Sequence, residues 1–191
     1  MAAPRREEPR MNADAFMAWY EQQPDGRRYE LLDGRVYEMQ GERAQHARIK
    51  KRVVAAFDRV IVARNIPCET FMDGMAVRID HETVFEPDAF VQCGAPVDDN
   101  AIIVPDPVIV VEVASPSTQR IDATMKLTHY FRNSRIAHYL VIIPMTRQII
   151  HHRRDSDAVI ETTIHRSGSI SLDPPGIAFS LDEVFGTDSV E

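Results

Sequence analysis

No stretch of this chain reaches the ~18 consecutive apolar residues that a membrane helix needs. Its opening residues, MAAPRREEPRMN, contain no apolar core of a secretion signal. Cysteine is nearly absent: Cys68 and Cys93 stand alone, with no CxxC pair and no histidine at ligand spacing. That pattern predicts two separate, reduced, buried thiols in a cytoplasmic protein. An excess of positive charge is also missing. A net charge of −7 over 191 residues excludes a protein that coats nucleic acid by charge alone, although a local basic face can coexist with acidic termini. No zinc finger, helix-turn-helix or basic stripe is visible. No HxxxH or HxH pair flanks a carboxylate, which argues against a zinc hydrolase built on His129, His138 or His151-His152.

What is present is ordinary globular material, 44% hydrophobic and 27% charged, enough for one domain with a full core. Residues 1–11 are charged, with two prolines, and predict a disordered segment. Residues 12–186 predict a single domain, and 187–191 an acidic tail. Asn12 or Asp14 is placed to cap a short helix carrying Phe16, Trp19 and Tyr20. Asp33-Gly34, between Tyr29–Leu32 and Arg35–Met39, is a strong hairpin signal. From Arg43 to about Arg64 the period becomes helical, with Ile49, Val53, Phe57 and Val60 in one stripe. His46 lies at the edge of that stripe. Arg48, Lys51 and Arg52 fall on other faces, where a solvated surface is the default and phosphate contact is the functional reading. Strand-like runs follow at Cys68–Phe71, Met75–Ile79 and Thr83–Gln92. Pro87 makes the third an edge strand, a bulged strand or a strand just beginning. Gln148–Arg153 and Val159–Arg166 predict a C-terminal hairpin with an open edge, the motive for expecting a homodimer. Ile177–Phe185 predicts a last strand and one helical turn.

The anomaly is in Val108–Thr118, VIVVEVASPST. An unbroken β-branched run reads as a strand buried on both faces, yet Glu112 sits in its middle. An unpaired carboxylate there costs on the order of several kcal/mol, so a cation, a metal ion or hydrogen-bond donors must meet it. Alternation puts Val108, Val110, Glu112 and Ala114 on one face. Asp88 precedes Glu112 by one long loop, so their strands can be neighbours. Two carboxylates converging at a strand end suit a hard divalent ion such as Mg²⁺, which can activate water and stabilise charge on a phosphoryl group. Lys126 follows on a helix expected from about Gln119 to Arg132, sharing a face with Asp122 and Tyr130. The bland readings are an exposed Asp122–Lys126 pair and a purely structural bridge at Glu112.

The segments YELLDGRVYEM, PDAFV, VVEVASPST, the Asp122…Lys126…Tyr130 helix and HYLVI occur in order over roughly Tyr29 to His151. Together they resemble the Uma-two family of endonucleases, in the PD-(D/E)xK restriction-endonuclease-like superfamily. The resemblance implies an α/β (α+β) fold with a restriction-endonuclease-like core, a mixed sheet flanked by helices. It implies Mg²⁺ or Mn²⁺ at Asp88 and Glu112, with the carbonyl of Val113 as a further ligand, and nucleic acid, DNA above all, as substrate. Orthodox members carry lysine two residues after the glutamate, where this chain has Ala114. In the resembling family the lysine has moved to the next helix, which makes Lys126 the candidate. YELLDG is a signature segment there, so Glu30 is a candidate accessory carboxylate, with Tyr130 and His46 in the same surroundings. A non-catalytic binding or assembly module that keeps the nuclease fold is the alternative.

Overall fold

A computed structural model describes residues 10–24, 26–39, 41–105, 107–114, 125–156 and 158–186. The start of the helix expected from about Gln119, Asp122, most of the N-terminal segment and the acidic tail lie outside these. Arg10 and Met11, read as disordered, are described: Met11 donates its N–H to the carbonyl of Gly34 (2.8 Å). Asn12 caps α1 (Ala13–Tyr20), its Oδ1 accepting from the N–H of Ala15 (2.8 Å).

The hairpin β1 (Tyr29–Leu32) and β2 (Arg35–Glu38) turns at Asp33-Gly34, both with positive φ, the backbone such a two-residue turn requires. β1 pairs with β5 (Val84–Phe85), which pairs with β4 (Ala76–Arg78). A short β7 (Ile103–Val104), unforeseen in the loop between Gly94 and Pro107, completes this sheet beside β4. The run expected as one strand from Thr83 to Gln92 is broken at Pro87. β5 belongs to this first sheet and β6 (Ala89–Cys93) to a second. Proline has no N–H for a ladder, so the chain changes sheets there, which is why Glu86 and Asp88 emerge between the two.

The second sheet has the order β11-β10-β9-β8-β6-β3. Its strands are β3 (Cys68–Met72), β6, β8 (Pro107–Val113), β9 (His138–Ile143), β10 (Gln148–Ser156) and β11 (Val159–His165). Only β8 and β9 run parallel, with Val113 opposite Ile142. Both are buried on their two faces, as the apolar runs required. Among the described strands β11 has a partner on one side alone. The helical stripe forms as read: α2 (Ala44–Arg64) lays Ile49, Val53, Phe57 and Val60 against Val111 and Val113 on one face of the sheet. Each such fully buried side chain stabilises by about 1.5–3 kcal/mol. The ribbon β12 (Ser169–Leu172) and β13 (Ile177–Ser180), with α4 (Leu181–Phe185), flanks α2. On the other face Val110 and Ala114 pack with Tyr130 and Tyr139.

The cysteine expectation is overturned. Cys68 and Cys93 are opposite each other on β3 and β6 and form a disulfide (S–S 1.94 Å). Their register depends on an antiparallel pairing across 25 residues, which the spacing does not reveal. The inference of a cytoplasmic site from two free thiols loses its basis with them. Among the described residues no helix is long and apolar enough to cross a membrane.

Four histidines gather where β9, β10 and β11 meet. His138 Nδ1 lies 2.9 Å from His151 Nε2, His165 is next to His151, and His152 stacks on Tyr139. Burial lowers His138 and His152 to about 4, and burial together with the charge of neighbouring histidines lowers His151 to about 3. Unfolding frees these rings to protonate near their ordinary 6.5. The unfolded chain thus binds more protons between that value and the folded values, and stability falls with pH over that window. Urea unfolding between about pH 7 and about pH 5 is expected to show a falling midpoint. His152→Phe, which keeps the stack on Tyr139 but cannot protonate, should make the fall shallower.

Candidate active site

Glu112 occupies the carboxyl end of β8, beside the parallel strand β9, buried with 5% of its surface exposed. The cation its burial demanded is Lys126. The Lys126 ammonium lies 2.9 Å from Glu112 Oε1 and 2.9 Å from Glu30 Oε1. Lys126 immediately precedes α3 (Leu127–Tyr130), the described part of the helix expected after β8. One turn on, Tyr130 donates its hydroxyl to the same Glu112 oxygen (2.6 Å). Burial, then the Glu112 charge, pushes the Tyr130 phenol well above its ordinary value, so it stays protonated and donates to the carboxylate. Phe85 lies beneath the Lys126 ammonium, 5.1 Å from ring centre, a favourable cation–π placement.

Glu30 therefore points inward from β1, and its Oε1 also accepts from the backbone N–H of Glu86 (3.1 Å). Glu38, on the partner strand β2, stays exposed. Asp88 stands just before β6, its Oδ2 accepting from the N–H of Val113 (2.7 Å). That bond fixes the aspartate against the last residue of β8, next to Glu112. Burial raises the Asp88 pKa, opposed by the Val113 N–H and by the ammoniums of Lys50 and Lys126.

Lys50 is the residue that sequence reasoning missed. It lies on α2 with 1% of its surface exposed. Its ammonium bonds both oxygens of Asp73 (2.8 and 2.7 Å), pairs with Glu42 and lies 3.4 Å from Asp88 Oδ1. Burial alone would lower its pKa, but the hydrogen bonds to Asp73 and Glu42 and the charge of Asp88 hold it above the ordinary value. Arg28 closes the far side, bonding Glu86 (2.6 Å) and Asp73 (3.3 Å). Glu86 is raised by burial despite that arginine. Lys50 could have been found, since it precedes Val53 by three residues and Phe57 by seven, the spacing of an inward position.

Glu30, Asp88, Glu112, Lys126 and Tyr130 thus come together. His46 does not join them and makes no side-chain hydrogen bond among the described residues. Nor do the zinc candidates converge. His129 lies between Asp33 and the Met125 carbonyl, while His138 and His151 bond each other. Among the described residues no three His, Cys, Asp or Glu side chains form a metal cage. Mg²⁺ needs none: it takes one or two carboxylates and keeps several waters. Asp88, tied to the backbone N–H of Val113, and Glu112 beside it offer carboxylate oxygens at a strand end, the ligand type such an ion takes.

Three comparisons bear on this arrangement. Residues 13–183 match the model of the Uma2 family, described as "Putative restriction endonuclease". The uncharacterized protein slr1290 of Synechocystis is 25% identical over 179 residues, covering 93% of this chain and 92% of its own. A crystal structure titled as a putative nuclease belonging to DUF820, from Anabaena variabilis, superposes with a TM-score of 0.73. It is 16% identical and covers 92% of this chain and 97% of its own. At that identity it shows a shared fold.

The ion pair itself makes a prediction. Lys126→Met leaves Glu112 and Glu30 without their ammonium and is expected to destabilise the protein by about 3–5 kcal/mol, the usual cost of stranding a buried charge. Adding Glu112→Gln should recover part of that loss in a double-mutant cycle read by urea unfolding. Additive losses would mean the two residues do not act as a pair.

Proposed function

We propose, from the premise that this chain belongs to the Uma2 family, that it is a metal-dependent endonuclease hydrolysing phosphodiester bonds of DNA. The observation that carries this reading is the ammonium of Lys126 held between Glu112 and Glu30, beside an Asp88 that is fixed to the backbone of the next strand. Asp88 and Glu112, with the Val113 carbonyl, would hold Mg²⁺ or Mn²⁺. When bound, such an ion supplies a more acidic water and neutralises charge on the phosphoryl oxygens.

The chain's own groups do the rest. The N–H of Val113 holds Asp88 with one oxygen committed, so the carboxylate cannot turn away from the strand end. The Tyr130 hydroxyl and the Lys126 ammonium meet at Oε1 of Glu112 and orient it. Lys126 can follow the reacting group on its flexible stem, because three rotatable N–H donors serve either an attacking water or a non-bridging phosphate oxygen. On this reading the ammonium takes the role that a lysine at residue 114 would have from the strand, where this chain has Ala114. Glu30 fixes the ammonium's second side. Lys50 lies too deep to meet substrate and acts on Asp88.

One observation favours a second reading, a binding module that retains the fold. Lys126 and Lys50 already pair with carboxylates of the site, Glu112, Glu30, Asp73 and Asp88, so an ion-pair network stands there without a metal.

Incubation with supercoiled and linear DNA separates the two. The endonuclease reading expects cleavage with Mg²⁺ or Mn²⁺, none with EDTA, and a loss of about 100-fold or more in Asp88→Asn and Glu112→Gln. Cleavage unchanged in both variants would reject the assigned site, and binding without cleavage in any form would favour the module.

A further inference from the structure

The carboxylate site leaves a second feature at the same end of the sheet without a role. α2, the turn after β9 and the end of α4 enclose a cavity of about 220 Å³, with Gln45, Arg48, Arg52, Pro144, Arg147 and Phe185 in its wall. Three guanidiniums share this space in a chain whose net charge is −7. Arg48 and Arg52, one turn apart on α2, carry like charges that repel unless an anion joins them.

Several other arginines are answered by carboxylates, Arg59 by Glu183, Arg78 by Asp14, Arg132 by Asp33 and Asp80, Arg153 by Glu161, while Arg64 and Arg154 donate to backbone carbonyls. Arg48 and Arg52 have no carboxylate partner among the described residues. Arg52 instead donates to the carbonyl of Phe185 (2.8 Å), and Arg147 to that of Gly186 (2.6 Å), its guanidinium 5.5 Å from the centre of the Phe185 ring. These bonds orient two guanidinium planes while Arg48 stays exposed at the rim. A guanidinium carries five donors in a fixed fork, so one backbone bond at Arg52 does not exhaust it. Planar forks match phosphate oxygens in pairs.

The position of the cavity says which phosphate. Ile49 belongs to its wall, and the next residue, Lys50, touches Asp88. Pro144 directly follows β9, whose Ile142 opposes Val113 of the carboxylate site. Cavity and carboxylates are thus neighbours at the carboxyl ends of the two parallel strands, where ligands of such sheets bind. The volume suits a phosphate group with a few waters, each needing about 30 Å³.

We infer that this cavity seats a backbone phosphate of the nucleic-acid strand presented to the carboxylate site, with Arg48, Arg52 and Arg147 as its ligands. The inference rests on the endonuclease reading and adds the sequence-independent contact that positions the strand. Lys51, exposed on the same helix, is outside the cavity wall.

Fluorescence anisotropy with fluorescein-labelled duplex and single-stranded oligonucleotides, with Ca²⁺ in place of Mg²⁺, tests it. The Arg48→Ala/Arg52→Ala double variant is expected to bind about 10-fold or more weakly at about 0.1 M salt. The slope of log affinity against log salt should become shallower by about one to two. Arg166→Ala, beyond β11, removes the same kind of charge elsewhere and should change neither. Equal affinity and slope in wild type and double variant would overturn the phosphate seat while leaving the endonuclease reading intact. Inorganic phosphate stabilising the wild type alone, with oligonucleotides binding both proteins alike, would assign the cavity to a free anion and overturn it too. Wild type that binds no oligonucleotide would overturn both readings.

Discussion

A carboxylate buried at the carboxyl end of a parallel strand pair is the constraint on which the rest of this molecule depends. Glu112 is held there by an ammonium and a phenol, both reaching Oε1 from the helix that follows. Left unpaired, it would cost several kcal/mol on the order of magnitude, a large share of the total stability of an ordinary domain. Lys126 must therefore be brought back over the sheet. α3 lies where it does because Tyr130 packs into the core with Phe85 and Tyr139 while its hydroxyl stays on the carboxylate. The first sheet is drawn into the same network, since Glu30 supplies the second oxygen that the ammonium meets.

The carboxylates are divided between two lysines from two helices. Lys126 takes Glu112 and Glu30, while Lys50 takes Asp73, Glu42 and one side of Asp88. Asp88 is the member least fully claimed. Its contact with Lys50 is 3.4 Å, longer than a hydrogen bond of ordinary strength, and only its other oxygen is bonded to backbone at 2.7 Å. On the endonuclease reading, an incoming cation would find one carboxylate firmly placed by the strand and loosely held by charge.

Much of this was legible because it broke a pattern. Glu112 interrupts an apolar run, so its burial and its need for a partner could be read from spacing alone. Pro87 marked a strand boundary, and Asp88 followed from it. The identity of the partner was another matter: Lys126 was chosen from the family-like segments, since nothing local distinguishes it from a surface lysine. Asp73 belongs to a turn-prone Asp-Gly pair, and Lys50 was not singled out among the residues of α2. Their roles depend on the β3–β4 turn coming to rest against that helix, which is a tertiary event. Cys68 and Cys93 were misread for the same reason, because register between strands that are distant in sequence is set by packing. The ribbon of β12 and β13 was missed in part, as SISLDPPGIAFS reads mostly as turn.

The most direct test is crystallographic. A crystal grown or soaked with Mn²⁺ and measured at the manganese edge should show one anomalous peak between Asp88 and Glu112, near the Val113 carbonyl. The Lys126 ammonium should remain within reach of the site. The peak should vanish in Asp88→Asn crystals treated alike. A fully loaded crystal with no peak there, or a peak held by other residues, would contradict the account and leave the carboxylates as a structural ion-pair network.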